Sequence, residues 1–490
     1  METGVKKAVP GVKGRNRSKF PRRELELEET KMLSRELVKE ALRRALATGA
    51  DYAEVFAEHT LEKSFNIVSA KADKIMDSVI SGVGIRIFKG TRCVSGSASS
   101  LEPEAILRCA DKVADALSES AIVSDIILKE RLFGDIHPVR VVPSCVANSE
   151  KIDYVREMCL AAKEYSEEIS QVVGSFLEVD HRIMIATSEG LLAQDRQIRT
   201  RVSVSSIASK DGENQTGAVR PGARKGMELL DELDPRALGR KAAKQAVTML
   251  HAGYIQAGTM PVAIENGFGG VIFHEACGHS LEASSVAMGQ SQFVGKLGTM
   301  IANAKVTAVD DGTIPNAWGS INIDDEGTPA RRNVLIENGI LKTYMIDKLN
   351  GRRMGMESTG SARRQSYQYA PTSRMTNTYI AAGEDRDEDI IASIEYGLYA
   401  KDMGGGSVNP ATGQFNFAVN EGYIIRNGKI CEPVRGASLI GKGSEVIQNI
   451  DMVGQNVLRG QGMCGSSSGS IPTDVGQPLI RVSSMTVGGR

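Results

Sequence analysis

Residues 51–60, DYAEVFAEHT, are followed by KSFNIVSAK at 63–71, GVGIRIFKG at 82–90 and RCVSGSAS at 92–99. These runs alternate apolar and polar side chains with period two. That alternation predicts successive β-strands joined by short turns, because neighbouring side chains of a strand point to opposite faces. Before them, KMLSRELVKEALRRALATG at 31–49 changes to helical spacing. Leu37, Val38, Ala41, Leu42 and Ala45 share one face, Ser34 can cap the start and Gly49 ends the segment. Residues 103–118 and 149–168 read as helices. FLEVDHRIMIATS at 176–188 and the run 191–208 return to strands. Asp234-Pro235 then supplies a cap and a first-turn proline for a helix over 238–250. The expected fold class is α+β, beginning with an N-terminal α/β layer domain over residues 31–250 whose helices cover one antiparallel sheet.

The character changes after about residue 255. One helical segment around 268–284 is followed by short runs separated by glycine turns: IENGIL, NPATGQF, RNGKIC and GASLIGKG. The Asn-Gly pairs at 338–339 and 427–428 suit hairpins whose two central residues need positive φ. Residues 251–490 therefore read as a second, β-rich domain. Residues 1–23 are basic and 24–29 are ELELEE. Residues 1–30 read as a mobile extension, because the positive block is short and the negative run offsets it.

Composition narrows the function classes. Lys plus Arg is 59 and Asp plus Glu is 60, a net charge of -1, which argues against nucleic-acid binding by bulk charge. No stretch approaches the ~18–20 apolar residues of a membrane helix. The N-terminus has no apolar run after its charges, so it is not a secretory signal. Seven scattered cysteines with no CxxC pair suit a reducing cytoplasm better than a disulfide framework.

The chemistry concentrates in VIFHEACGHSLEA at 271–283. His274, Glu275 and His279 combine two imidazoles with an adjacent carboxylate, the residue types of metal-assisted hydrolysis. The spacing is HExxxH. On a regular helix, residues five apart point about 140° from each other, so two ligands for one ion require a distortion. A π-bulge would realign them, and Gly278 lowers the cost of irregular backbone. The bland alternative is a helix with two polar residues at a domain interface. Cys277, three after His274, and Glu282, three after His279, are further possible ligands.

HEACGHSLEA resembles the HExxxH segment of the TldD/PmbA (TldD/TldE) family of metalloproteases. The resemblance continues through DDEGTPARRNVLIENGILKTYMID at 324–347, APTSRMTNTYI at 370–380, GGGSVNPATGQFNFAVNEGYII at 404–425 and GMCGSSSGSIPTDVGQP at 462–478. SGVGIRIFKGTRCVSGSAS at 81–99 extends it into the first half. Coverage is roughly residues 31–490, and the match is to the TldD branch, which keeps the metal motif. The resemblance implies Zn²⁺ held by His274, His279 and Cys464, with Glu275 as general base. It implies a peptidase acting on small or unfolded polypeptides, working as a homodimer or with a metal-free PmbA/TldE-like paralogue. The glycine-rich setting of Cys464, GQGMCGSSSG, would let a thiolate approach a metal.

Other candidates have plainer readings. Asp310-Asp311 and Asp324-Asp325-Glu326 precede glycine and suit turns better than a second cation. Arg363, Arg364 and Arg374 could hold a peptide carboxylate or an oxyanion. Arg374 is singled out as substrate-binding because it lies in a shared motif. Gly404, Gly405 and Gly406 lack the lysine of a phosphate loop, and Lys442 lacks its spacing. His137, His181 and His251 have no nucleophile-elbow context. Two competing classes stay open: a non-catalytic binding or scaffold subunit, and a nucleic-acid modulator using the basic tail.

Overall fold

The computed structural model describes residues 32–117, 119, 125–409 and 411–490. The extension expected over 1–30 lies outside the described residues. Helix α1 (Arg35–Ala45) starts where Ser34 Oγ accepts from Leu37 N at 3.2 Å, and it buries Val38, Ala41, Leu42 and Ala45. Then come β1 (Tyr52–Val68), β2 (Lys71–Lys89), β3 (Arg92–Ala98), α2 (Pro103–Ala114), α3 (Asn148–Lys163), β4 (Ile169–Thr187), β5 (Leu191–Lys210), β6 (Glu213–Val219) and α4 (Pro235–Leu250). The strands form an antiparallel sheet in the order β3-β2-β1-β4-β5, with β6 beside β5. The four runs expected as separate strands over 51–99 form three, two of them long. DYAEVFAEHT and KSFNIVSAK are one strand, because nothing between residues 60 and 63 breaks the alternation; the turn comes at Ser69 and Ala70, both at positive φ.

The length of these strands has a consequence. Four of them run 17–20 residues, about three times the usual strand. One end of the sheet packs on α1 and α2 through Val55, Ile85, Ile106 and Met184. The other end packs on α3 and α4 through Phe65, Val155, Phe176 and Ala246. A single sheet thus serves two separate cores.

The second half contributes β7 (Gly258–Ile264), α5 (Val271–Ala276), β8 (Ala308–Asp311), β9 (Arg332–Glu337), β10 (Asn377–Ile380), β11 (Tyr396–Val408), β12 (Gln414–Arg426), β13 (Ser438–Lys442), β14 (Leu458–Ser466), β15 (Gly469–Gln477) and β16 (Ile480–Gly488). Strands β11, β7, β16, β13 and β12 pair in sequence, and β12 pairs back onto β11, closing a barrel. A six-stranded sheet runs from Ile340–Leu341 through β9, β8, β10 and β15 to β14, its outermost strand. NPATGQF is not a strand of its own: it leads from β11 into β12, whose first residues are its Gln414 and Phe415; its proline lies outside the described residues. The Asn-Gly pairs at 338–339 and 427–428 both have the positive φ that hairpin turns require.

Helix α5 lies between barrel and sheet, sharing one core with both. Its entry depends on a close approach. A Cβ at Gly270 would fall 2.3 Å from the backbone nitrogen of Gly476 on β15, so only glycine lets the helix start sit on that strand.

The two halves meet through buried charge. Arg86 on β2 bonds Glu54 on β1 and Glu326 of the second half, each at 2.7 Å. Arg364 bonds the other oxygen of Glu54 at 2.5 Å. Burial pushes the Glu54 carboxyl up, but Arg86 and Arg364 outweigh it and hold it at about 2.

Candidate metal centre

The segment expected to be one distorted helix is broken into short turns. Val271–Ala276 is α-helical and ends at Cys277, whose φ of -131° and ψ of -47° leave the helical region. Gly278–Leu281 then makes a 3₁₀ turn. The realignment of the two histidines comes from this break and tighter turn, not from a π-bulge. Gly278 leaves room for a neighbour: a Cβ there would meet Met375 Sδ at 2.5 Å, so that side chain would have to shift.

The break brings the two imidazoles together, with ring centroids 4.9 Å apart and planes at 84°. Cys464, on the outermost strand β14, reaches the same point. Its Sγ is 3.4 Å from His279 Nε2. One ligand atom from each of His274, His279 and Cys464 lies within 4.8 Å of the others; His274 and Cys464 are buried and the His279 side chain is 12% exposed. Two imidazoles and a thiolate in this span suit Zn²⁺, whose Zn–N bonds are about 2.0–2.1 Å and Zn–S bonds about 2.3 Å. Two observations bear on that fit. The Nδ1 of His274 is buried with no hydrogen-bond partner, a state that costs about 1–3 kcal/mol unless a bond relieves it. Burial pushes the Cys464 thiol up, yet His274 and His279 outweigh it and hold it at about 3, a direction that favours the thiolate form a metal takes.

Around these residues lies a supporting layer. Glu282 Oε2 is 3.1 Å from His279 Nδ1. A carboxylate there fixes the ring and directs Nε2 towards Cys464. Burial pushes His279 down, but Glu282 and Cys464 hold it well above its ordinary value. Arg374 is fully buried. It donates to the Cys464 carbonyl at 2.5 Å, to Ser468 Oγ at 2.8 Å and to the Gly469 carbonyl at 3.0 Å, and its Nε lies 3.8 Å from Glu282 Oε1. One guanidinium therefore ties the turn after Cys464 to the carboxylate behind His279. Glu275 is partly exposed, with its carboxylate 3.6 Å from His279 Nε2.

The remaining candidates lie elsewhere. Cys277 is fully buried in the core beside α5, outside the three-residue cluster, and burial pushes its thiol far up. Arg363 donates to the carbonyls of Met375 and Pro472, and Arg364 belongs to the interdomain pair with Glu54. Asp310 accepts from Thr376 N and Oγ1, Asp311 from Thr313, and Asp324 from the nitrogens of Glu326, Thr328 and Ala362. Asp325 accepts from Arg364 N. All these acids are held by the protein itself. Gly404–Gly406 lie within β11, and Lys442 ends β13. His137 bridges Ile321 O and Asn316 N, His181 pairs with Glu58 and Thr60, and His251 pairs with Glu168. Sequence reasoning weighed Glu282 only as a ligand. Its spacing of three from His279 is equally the signal for a side chain that backs the ring.

Comparisons with known proteins agree with this architecture. Residues 53–117, 142–250 and 257–489 match, in order, domain 1, the central domain and the C-terminal domain described as PmbA/TldA metallopeptidase. The chain is 35% identical to the metalloprotease TldD homolog of Haemophilus influenzae, over 90% of this chain and 93% of the relative. It is 30% identical to the zinc metalloprotease TldD homolog of Saccharolobus solfataricus, over 53% of this chain and 58% of that one. Among solved structures, TldE from Thermococcus kodakarensis shares the fold with a TM-score of 0.74 at 18% identity, covering 93% of this chain and 99% of that one. With matches spanning nearly its whole length, the chain belongs to the TldD/PmbA metallopeptidase family.

Proposed function

We propose that this protein is a zinc-dependent peptidase that hydrolyses small or unfolded polypeptides. The observation that carries the reading is the convergence of His274, His279 and Cys464 within 4.8 Å, with the Glu275 carboxylate beside them. The three residues would hold Zn²⁺, which when bound polarises a scissile carbonyl and acidifies a water. Glu275 accepts the proton of the attacking water and returns it to the leaving amine. Its partial exposure, at 18% of the side chain, leaves the carboxylate open to substrate. Glu282 holds His279, and Arg374 holds the backbone of Cys464; the burial of Arg374 supports a positioning role over direct contact with a peptide. The outermost position of β14 supports an extended peptide lying along that strand.

The same reading includes assembly and location. Membership of the TldD/PmbA family is the ground for reading the protein as a dimer, either of two copies or with a metal-free paralogue. All seven cysteines are free, which supports a reducing cytoplasm. Among the described residues no helix is long and apolar enough to cross a membrane. The test is metal analysis of the purified protein together with cleavage of an unstructured peptide. Stoichiometric zinc and cleavage abolished by a chelator are expected. A metal-free protein that binds peptide without cutting it would favour the scaffold reading instead.

A further inference from the structure

A cleft of about 880 Å³ opens between the two halves, next to the strand that carries Cys464. Its walls come from β5, β6 and α4 on one side and from β11, β12 and β14 on the other. Six cations line it against three carboxylates. The imbalance is local, since the chain as a whole carries a net charge of -1.

The carboxylates are already engaged. Glu421 takes Lys401 at 2.6 Å, Asp402 accepts from Gln245 and Asn420, and Glu265 accepts from the Tyr399 hydroxyl. The cations Arg201, Arg220, Lys241 and Lys244 have no carboxylate in ion-pairing distance among the described residues. Lys241 and Lys244 are exposed and three apart on α4, so they share a face of the helix. Arg201 lies over the Trp318 ring at 5.2 Å and donates to the carbonyls of Arg220 and Gln461, which fixes its charge above β14. Burial, with Arg220 beside it, pushes Arg201 below its ordinary value. Like charges are thus held together here, an arrangement that an anionic ligand relieves.

Leu458, Arg459, Gly460 and Gln461 of β14 form one wall of the cleft. Cys464 follows on the same strand, three residues beyond Gln461, or about 10 Å at ~3.3 Å per residue. We propose that this cleft is a subsite for acidic side chains of an extended peptide, placed about three to six residues from the scissile bond. The inference rests on the reading of β14 as the strand along which substrate lies. A nucleic acid is the other polyanion that could enter. Sharing strand β14 with Cys464 favours the peptide, and Phe268 is the one aromatic side chain in the lining, which gives little platform for stacked bases.

The test is binding of fluorescein-labelled unstructured peptides to the full-length Glu275→Gln protein loaded with zinc, read by fluorescence anisotropy at low salt. One peptide carries three glutamates three to six residues to one side of a central dipeptide, a second carries them on the other side, and a third has glutamine throughout. One of the acidic peptides should bind about tenfold more tightly than the glutamine peptide. That gain should vanish with added salt and in the double variant Lys241→Glu/Lys244→Glu, with glutamine-peptide binding unchanged. Equal binding of all three peptides, or a preference that survives the charge reversal, would overturn the proposal. So would tight binding of a single-stranded oligonucleotide, lost in the double variant, without discrimination between peptides. The readout is binding rather than turnover, so absence of peptidase activity would refute the proposed function without deciding this result.

Discussion

Cys464 Sγ and His279 Nε2 lie 3.4 Å apart, although 185 positions separate them in the chain. Neither local sequence nor a single element produces that contact. It requires the break at Cys277, the seat of α5 against β15, and the outer position of β14. The contact places a sulfur against an imidazole whose far side is held by Glu282, an arrangement that two ligands of one ion would have.

If Glu275 is the base and not a ligand, Glu275→Gln retains zinc and lowers turnover by about 10²–10⁴-fold. Metal content and kcat on one peptide check this together. Undiminished turnover, or loss of the metal, would remove Glu275 from that role.

Glu282 acts through His279. Glu282→Gln should weaken zinc affinity by about 10–100-fold, the usual effect of losing the carboxylate behind a ligand histidine. Competition with a chromogenic chelator gives the number. An affinity equal to wild type would show that the 3.1 Å contact does not support the ring.

Much of the architecture was legible in the primary structure, for identifiable reasons. Period-two runs marked the sheet over 51–99 and helical spacing marked α1, because each element buries one face. The Asn-Gly pairs located their hairpins because positive φ is a local demand. What was not legible depended on distant packing. The length of β1 shows only where it pairs along Lys71–Lys89 and Ile169–Thr187, and the broken helix at Cys277 sits among neighbours such as Met375 and Gly476, about a hundred residues or more away in the chain. Cys464 carried no local sign of being near the histidines; resemblance to a family named it. The role of Arg374 was least visible, since a guanidinium buried on backbone carbonyls looks the same in sequence as one that faces a substrate.

The interface between the halves should be sensitive to acid through Glu54. Its folded pKa, about 2, is depressed from 4.5. Its contribution is therefore present above pH 4.5 and is lost as pH falls towards 2. Glu54→Gln leaves Arg86 and Arg364 short of a charge and should destabilise the protein by about 3–5 kcal/mol at pH 7. Denaturant unfolding checks it, and a change below 1 kcal/mol would show that the buried cluster does not hold the halves together.

Asp474 should show the opposite dependence. Burial pushes its carboxyl from 3.8 up to about 7, against the opposing pull of Arg459, and its Oδ1 is buried without a partner. With the folded pKa raised, its contribution is full below pH 3.8 and declines as pH rises through 7. Asp474→Asn should therefore gain stability over wild type above pH 7, by roughly 2–4 kcal/mol. Thermal unfolding from pH 5 to 9 reads the difference; a gap that does not widen with pH would contradict it.

The central claim is that the third ligand comes from β14 and not from the helix that carries the histidines. It is tested by the zinc content of two variants purified in parallel, Cys464→Ala and Cys277→Ala. The account predicts strong loss of zinc in Cys464→Ala and nearly full occupancy in Cys277→Ala, whose sulfur is buried in the core away from the cluster. Full zinc in Cys464→Ala with loss in Cys277→Ala would contradict it and move the third ligand into the His274–His279 segment.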